Sequence, residues 1–292
     1  MNPDFDNKFE HNFAETITYV MENNVKYPCD SGIETGYSDL DKLTKGFRAA
    51  ELTILAGRPA MGKTSFWINA VRHMVIKSGL KVGVFLAKEE AEKIANMFLA
   101  SESHVDIKHI ESGRLSKKEL NQVEESAEEL CKADIDIATP LFPYDCIEFE
   151  DLYYGILQYA QTDGVDIIII DSLQYISLDS ANNHDKYIEI VKALRELDIT
   201  CRIPIVLISN LPAAVDSRPD KHPKIEDLWE YGHIDQYADT IVFMYKDEYY
   251  DFDTEKKGIV ELNVAKCLCG DRGLAEILWL PQFMTFANLE RS

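Results

Sequence analysis

The apolar positions of this chain fall into short runs that alternate with longer segments of helical periodicity. Runs of four to eight apolar residues bounded by helices predict a mostly parallel sheet that is covered on both faces. Two later runs, GIVELNVAKC and AEILWLP, follow each other without a helix between them and predict an antiparallel extension. The pattern therefore predicts an α/β fold whose parallel strands are the runs ELTILAG, KVGVFLA, IDIAT, DIIIIDSL, IPIVLISN and TIVFMY.

The first thirty residues follow a different pattern. Phe13, Ile17, Val20 and Met21 form one apolar stripe on an otherwise polar helix, which needs a partner surface. The turn-forming string YPCDSG then interrupts the periodicity. We therefore predict a leader segment over residues 1–32 and one main domain over 33–292.

A charge-rich stretch of the main domain, SKKELNQVEESAEEL, predicts a solvated helix. Ser116 stands three residues before Glu119, which is the spacing of a capping box.

Composition narrows the functional classes. The 292 residues carry a formal net charge of −21, which argues against a broad basic face for duplex DNA. A few lysines and arginines along a channel would still suffice for a single strand. The N-terminus lacks the pattern of a secretion signal, and no apolar run is long enough to cross a bilayer. We expect a cytoplasmic protein that does not contact membranes.

One motif carries the candidate chemistry. The string GRPAMGKT follows a predicted strand and precedes a predicted helix, with Gly57, Gly62, Lys63 and Thr64 at the spacing of a phosphate-binding loop. The glycines let main-chain N–H groups surround phosphates, the lysine reaches the terminal phosphates, and the threonine hydroxyl can ligate Mg²⁺. We predict that this loop binds a nucleoside triphosphate.

Two further polar residues end predicted strands. Asp171 closes a buried run, where its carboxylate would complete the magnesium site, although it could also simply cap the strand. Asn210 closes the run IPIVLISN, where its amide could sense the γ-phosphate, although asparagine is also a common turn residue.

Several ordered motifs resemble the C-terminal RecA-like ATPase domain of DnaB-type replicative helicases: GYSDLDKLTKGF, LAGRPAMGKTSF, MFLASESHVD, IIIIDSLQYI, SRPDKHPKIEDL, ADTIVFMYKDEYY and LPQFMTFANL. The resemblance implies a RecA-like P-loop NTPase core and a homo-oligomeric ring, usually a hexamer, with ATP between subunits and single-stranded DNA at the centre. It also implies that the leader helix docks on a neighbouring subunit. Because the resemblance begins at the linker, we expect no counterpart of the family's N-terminal domain.

The resemblance also assigns roles to individual positions. It implies that Thr64 and Asp171 hold Mg²⁺. The residues that it places on ATP are Gly57, Arg58, Gly62, Lys63, Thr64, Ser65 and Lys266.

Three departures from the family pattern concern hydrolysis. Lys88 stands where the family has its catalytic glutamate, and a cation cannot activate water as a base, so Glu89 or Glu90 would have to take that role. Asn210 replaces a glutamine sensor. Leu268 occupies the position of the family's arginine finger, which leaves Arg272 as the candidate replacement.

Two segments fall where the family has the loops that contact single-stranded DNA: SLDSANNHDKY and LPAAVDSRPDKHP. Phosphate neutralisation needs a surplus of cations, and these segments have little. Their cations are Lys186, Arg218 and Lys221, and their carboxylates are Asp179, Asp185, Asp216 and Asp220.

These observations leave three functions open. The first is an ATP-driven DNA helicase or translocase that acts in replication and receives an N-terminal partner in trans. The second is a non-catalytic relative in which ATP·Mg²⁺ is a structural or assembly switch for a ring or for joining a true helicase. The third is an interaction platform with a vestigial loop, which the intact motif disfavours.

Overall fold

The computed structural model describes residues 17–18, 32–87, 91–139, 146–180 and 182–289, the side chains of residues 163 and 183 excepted. Of the predicted leader helix, it therefore describes Ile17 and Thr18 alone. The stripe of Phe13, Val20 and Met21 lies outside the described residues, and the boundary between residues 32 and 33 stays a prediction.

A nine-stranded sheet forms the centre of the molecule. Its strands are β1 (Leu52–Gly57), β2 (Val82–Leu86), β3 (Ile135–Ala138), β5 (Ile167–Asp171), β7 (Ile205–Asn210), β8 (Thr240–Tyr245), β9 (Ile259–Cys267), β10 (Gly273–Leu280) and β11 (Thr285–Asn288). They lie in the order β11-β10-β9-β8-β1-β7-β5-β2-β3. The six strands from β8 to β3 in this order run parallel, and β9, β10 and β11 continue the sheet antiparallel. This confirms the predicted α/β class and its antiparallel extension. A separate two-stranded sheet pairs β4 (Ile147–Glu148) with β6 (Ile176–Ser177).

The described helices pack around the sheet. They are α1 (Ser38–Thr44), α2 (Lys63–Ser78), α3 (Ala91–Ser103), α4 (Ile107–Ser112), α5 (Lys117–Leu130), α6 (Phe149–Gln158) and α7 (Asn183–Cys201). The predicted capping box is present on α5. The Ser116 Oγ accepts from the Glu119 N–H at 3.3 Å, and the Glu119 carboxylate accepts from the Ser116 N–H at 2.8 Å. Among the described residues, no helix is both long enough and apolar enough to cross a bilayer.

Two hydrophobic layers enclose the sheet. On one face Phe66 and Trp67 of α2 pack with Ile94 of α3, and on the other Leu194 of α7 packs with Leu152 of α6. Every residue of β1 is buried, because the strand lies inside the sheet and both faces are covered. Burial on both faces explains why the parallel strands other than β3 appear in the sequence as mostly apolar runs.

The carboxyl ends and the amino ends of the parallel strands form two sides of the sheet, called here the phosphate-loop edge and the opposite edge. At the phosphate-loop edge β1, β5 and β7 end, with Gly57 beside Asn210 and Met244. At the opposite edge these strands begin, and Cys267 at the end of β9 pairs with Thr240 at the start of β8. The turn between β9 and β10 therefore lies at the opposite edge, where the Asp271 N–H donates to the Leu43 carbonyl at the end of α1 at 2.8 Å.

Candidate nucleotide site

The phosphate loop connects β1 to α2, as the motif predicts. Gly62 is the residue before α2 and has φ of 94°, a left-handed conformation that favours glycine. A Cβ at this position would lie 3.1 Å from the Phe286 ring. The N-terminus of α2, beginning at Lys63, therefore points its unpaired N–H groups into the loop, which is the geometry that binds phosphate.

Lys63 is buried beneath the loop with 7% of its surface exposed. Its Nζ donates to the carbonyls of Gly57 and Arg58, both at 2.9 Å. Burial lowers the pKa of Lys63 to about 8, although the nearby Asp171 carboxylate opposes this shift. A buried ammonium held by neutral carbonyls is a binding site for an anion such as phosphate.

Asp171 lies beside Thr64, although the two are 107 residues apart in sequence. The Thr64 Oγ1 donates to the Asp171 carboxylate at 2.9 Å, and the Trp67 Nε1 donates to the same oxygen at 2.8 Å. The indole fixes the carboxylate against α2 in contact with the hydroxyl. A hydroxyl and a carboxylate are the hard oxygen ligands that Mg²⁺ prefers.

Asn210 ends β7 directly beside Gly57 and lines the same cavity as Lys63 and Asp171. Gln174, which the sequence analysis missed, holds its main chain: the Gln174 Oε1 accepts from the Asn210 N–H at 2.9 Å, and its Nε2 donates to the Ser209 Oγ at 3.0 Å. The structure therefore places an amide at the predicted sensor position.

A cavity of about 430 Å³ opens above the loop. The predicted residues Gly62, Lys63, Thr64, Ser65, Asp171 and Asn210 line it together. Five of the other lining residues were not predicted, because nothing local in the sequence marks them: Lys93, Met97, Tyr175, Trp279 and Met284. Trp279 and Met284 give one wall an aromatic and apolar surface suited to a nucleobase.

The guanidinium of Arg58, predicted as a phosphate ligand, contacts protein groups in this structure. Its Nε donates to both carboxylate oxygens of Asp216 at 3.1 and 3.0 Å, its Nη2 donates at 2.6 Å, and its Nη1 donates to the Leu211 carbonyl at 2.8 Å. The Asp216 carboxylate raises the pKa of Arg58, and the guanidinium lowers the pKa of Asp216.

The remaining predicted catalytic residues divide into two groups. Lys88, Glu89 and Glu90 lie outside the described residues, and they follow Ala87, whose N–H donates to the Asp171 carbonyl at 2.9 Å. Leu268 and Arg272 lie in the β9–β10 turn at the opposite edge of the sheet.

Lys266 also lies at that edge, where its Nζ donates to the Asp235 carbonyl at 2.8 Å. A six-residue strand spans roughly 20 Å, so none of these three residues lies near the phosphate loop of its own chain.

The cationic side chains predicted to contact single-stranded DNA have partners within the chain. The guanidinium of Arg218 donates to both carboxylate oxygens of Asp227, at 2.6 and 2.9 Å. The Lys221 Nζ donates to the Asp216 carbonyl at 2.8 Å and lies 5.4 Å from the centre of the Tyr250 ring. The Lys186 Nζ lies 5.4 Å from the centre of the Tyr187 ring.

The residues present fit ATP and Mg²⁺. In the part of the chain that the structure describes, no group of three or more His, Cys, Asp or Glu side chains could hold a metal ion. Thr64 and Asp171 provide two oxygen ligands, which suits Mg²⁺ because this ion is usually bound by one or two protein groups together with phosphates and water.

Comparison with known proteins agrees with this architecture. The family model described as "DnaB-like helicase C terminal domain" matches residues 32–288. The replicative DNA helicase DnaB of Geobacillus stearothermophilus is 31% identical over 265 residues, which are 89% of this chain and 57% of the relative. That of Haemophilus influenzae is 33% identical over 265 residues, 89% of this chain and 56% of the relative. The chain thus spans somewhat more than half the length of these relatives.

Two solved structures share the fold. One, described as an ATPase domain, has a TM-score of 0.86 at 24% identity and covers 96% of this chain and 100% of its own. A DnaB-like replicative helicase, described with its interactions with primase, has a TM-score of 0.84 at 24% identity, covering 96% of this chain and 68% of its own. With the family model matched from residue 32 to residue 288, the chain belongs to the DnaB-like helicase C-terminal domain family.

Proposed function

We propose that the chain is an ATP·Mg²⁺-driven motor domain that translocates along single-stranded DNA in replication. The observation that carries this proposal is the arrangement of Lys63, Thr64 and Asp171: a buried ammonium held by neutral carbonyls, next to a hydroxyl and a carboxylate in direct contact. Each group has the chemistry that a bound triphosphate and its metal ion require.

The residues of the site have different proposed roles. The N–H groups at the start of α2 hold the phosphates, and Lys63 turns from the loop carbonyls towards the terminal phosphates. Thr64 and Asp171 would hold Mg²⁺, which would neutralise charge on the phosphates. Asn210 reports the γ-phosphate. Glu89 is the proposed base.

The opposite edge supports a ring. Lys266 and Arg272 lie about one strand length from their own phosphate loop, so they serve a nucleotide bound by the neighbouring subunit. We propose a homo-oligomeric ring, such as a hexamer, that surrounds single-stranded DNA and works in the cytoplasm.

The test is ATP hydrolysis by the purified chain with and without single-stranded DNA, next to Lys63→Ala and a sizing run. We expect turnover that DNA stimulates, that Lys63→Ala abolishes, and that coincides with a ring-sized species. Nucleotide binding without turnover would contradict the proposal.

A second candidate function is an ATP-dependent assembly switch without turnover. It is favoured by Leu268, which is 66% exposed at the arginine-finger position, and by Arg218, whose guanidinium is already paired with Asp227. This function predicts that ATP·Mg²⁺ changes the oligomeric state of the chain, or its binding to a DnaB-type helicase, while phosphate release stays at background.

A further inference from the structure

One carboxylate joins the phosphate loop to the segment that follows β7. Residues 211–223 are called here the strand-side segment, because the family resemblance places them near a DNA strand. They include Asp216, which receives three hydrogen bonds from the Arg58 guanidinium. The pair is partly buried, with 14% of the Arg58 side chain and 35% of the Asp216 side chain exposed. Bidentate arginine–carboxylate pairs are stronger and more directional than other ion pairs, so this contact fixes the loop and the segment relative to each other.

The same Asp216 holds two further groups. Its Oδ1 accepts from the Tyr250 hydroxyl at 2.6 Å, and its main-chain carbonyl accepts from the Lys221 Nζ at 2.8 Å. The position of Lys221, one of the cations predicted to contact a strand, therefore depends on where Asp216 lies.

The main-chain carbonyl of Arg58 contacts Lys63, the proposed phosphate-binding lysine. The Lys63 Nζ donates to the Arg58 carbonyl at 2.9 Å, while the Arg58 side chain holds Asp216. A lysine that turns towards a phosphate gives up its bond to this carbonyl. Arg58 therefore loses a main-chain hydrogen bond when a phosphate binds, and the side chain of the same residue positions the strand-side segment.

We propose that Arg58 is a positioning residue that couples nucleotide binding to the strand-side segment through Asp216, so that ATP·Mg²⁺ changes how this segment presents Lys221 to single-stranded nucleic acid. This inference rests on the proposed function, since it requires that the loop bind a nucleotide. Coupling is reciprocal, so a single strand bound at this segment also changes the affinity for the nucleotide.

Hydrogen–deuterium exchange of the full-length chain tests the coupling without depending on DNA binding. We expect saturating ATP·Mg²⁺ to change the exchange rate of amides in residues 211–223 by about fivefold or more, the lower end of ordinary allosteric coupling. Asp216→Asn removes the charge of the pair at constant shape and should bring this change down to less than about twofold. Asp216→Glu, which keeps a carboxylate, should retain most of it.

Glu102→Gln is the matched control. Glu102 forms an arginine–carboxylate pair of similar burial with Arg72 of α2, away from the strand-side segment. It should leave the exchange response of residues 211–223 unchanged. A thermal melt of each variant verifies that it is folded.

A double-mutant cycle supplies the second readout. Arg58→Lys, Asp216→Asn and the double variant are compared by the ratio of the Kd for an oligothymidylate measured without and with a non-hydrolysable ATP analogue. We expect each single variant to bring this ratio closer to one, and the double variant to bring it no closer, because both substitutions break one contact.

Three results would overturn the inference, and they are distinguishable. Nucleotide binding, seen as a thermal shift, without a response in residues 211–223 removes this inference and leaves the proposed function standing. A response that survives in Asp216→Asn removes the role of the pair. No thermal shift with ATP·Mg²⁺ removes the inference together with the proposed function.

Discussion

Each edge of the sheet holds a charged side chain, Arg195 at the opposite edge and Lys63 at the phosphate-loop edge, and these two charges are satisfied in different ways. At the opposite edge Arg195 pairs with two carboxylates, Asp198 at 2.5 Å and Asp239 at 3.1 Å, and Asp239 also accepts from the Leu52 N–H. At the phosphate-loop edge Lys63 donates to two neutral carbonyls. The first arrangement neutralises charge within the chain, whereas the second leaves a cation whose partners an anion can replace.

This difference distinguishes a charge that is neutralised within the fold from a charge that is available to a bound anion. Removing one member of a buried ion pair leaves the other uncompensated, so the network at the opposite edge constrains the fold. A lysine on neutral acceptors can exchange them for phosphate oxygens at little cost. The β9–β10 turn at the opposite edge exposes Leu268 and Arg272, and we propose that this surface contributes to function.

The largest expected effect comes from Arg272→Ala. An arginine finger is worth about 10³ to 10⁵ in turnover, so we expect ATP hydrolysis to fall by about 10³-fold while nucleotide affinity stays unchanged. The measurement is phosphate release next to equilibrium binding of a fluorescent ATP analogue. Arg114→Ala, another exposed arginine, is the control and should retain full turnover.

A mixing experiment sharpens the same comparison. Subunits with Arg272→Ala keep a complete phosphate loop, and subunits with Lys63→Ala keep Arg272. If the two edges serve one site in neighbouring subunits, mixtures should recover turnover that neither variant has alone. Mixtures that stay inactive would argue that Arg272 does not act across an interface.

Asp171→Asn should have the next largest effect. The amide keeps an acceptor for Thr64 and Trp67 but loses the charge that attracts Mg²⁺. Contacts to charged groups are worth about 1.5–3 kcal/mol, so we expect the Mg²⁺ requirement for nucleotide binding to rise about tenfold or more.

The readout is a Mg²⁺ titration at fixed nucleotide. Asp166→Asn provides the control from the opposite edge, because Asp166 precedes the same strand and its carboxylate accepts from the Lys81 N–H. An equal shift in both variants would contradict a specific role for Asp171.

Asp198→Asn tests the opposite edge through pH. Burial raises the pKa of Asp198 to about 7, against a smaller lowering by Arg195, and the side chain is fully buried. A carboxyl whose pKa is raised on folding contributes stability below its unfolded pKa of about 4, and this stability is lost as the pH rises through about 7.

We therefore expect the free energy of unfolding of the parent chain, measured relative to that of Asp198→Asn, to fall as the pH rises between about 4 and about 7. Urea denaturation at a series of pH values from about 5 to about 8 measures it. Glu196→Gln, an exposed neighbour on α7, should retain the parent slope. Equal slopes in the parent chain and Asp198→Asn would contradict the assignment.

The smallest effect is expected for Tyr250→Phe at the phosphate-loop edge. The substitution removes one hydrogen bond to Asp216 and leaves the pair with Arg58 intact, so it should cost about 0.5–1.5 kcal/mol of unfolding free energy. Urea denaturation measures the loss. Tyr249→Phe, at a side chain that is 42% exposed, should change the stability by less.

Much of the fold was predictable because its signals are local. The parallel strands other than β3 are buried on both faces and appear as mostly apolar runs, and the capping box of α5 depends on residues three apart. The phosphate loop is a continuous motif. Asp171 was predictable because it ends a strand of a recognisable fold.

The rest depends on contacts between distant residues. The sequence does not reveal that Asp216 holds Arg58, since the two are 158 residues apart. Gln174 and Trp279 join the site only through the packing of separate segments. The short strand β11 and the two-residue strands β4 and β6 also escaped prediction, because so few residues carry no periodicity.

The central position of β1 has a consequence for how the chain folds. β1 pairs with β7 and β8, and the contacts of β1 and of the loop after it join residues 153 and 187 positions apart, as between Arg58 and Leu211 or between Leu52 and Asp239. Contacts of long sequence separation form slowly, because the intervening chain must first be ordered. During synthesis, the pairing of β1 cannot be completed until β8 has left the ribosome. The candidate nucleotide site that follows β1 therefore assembles late.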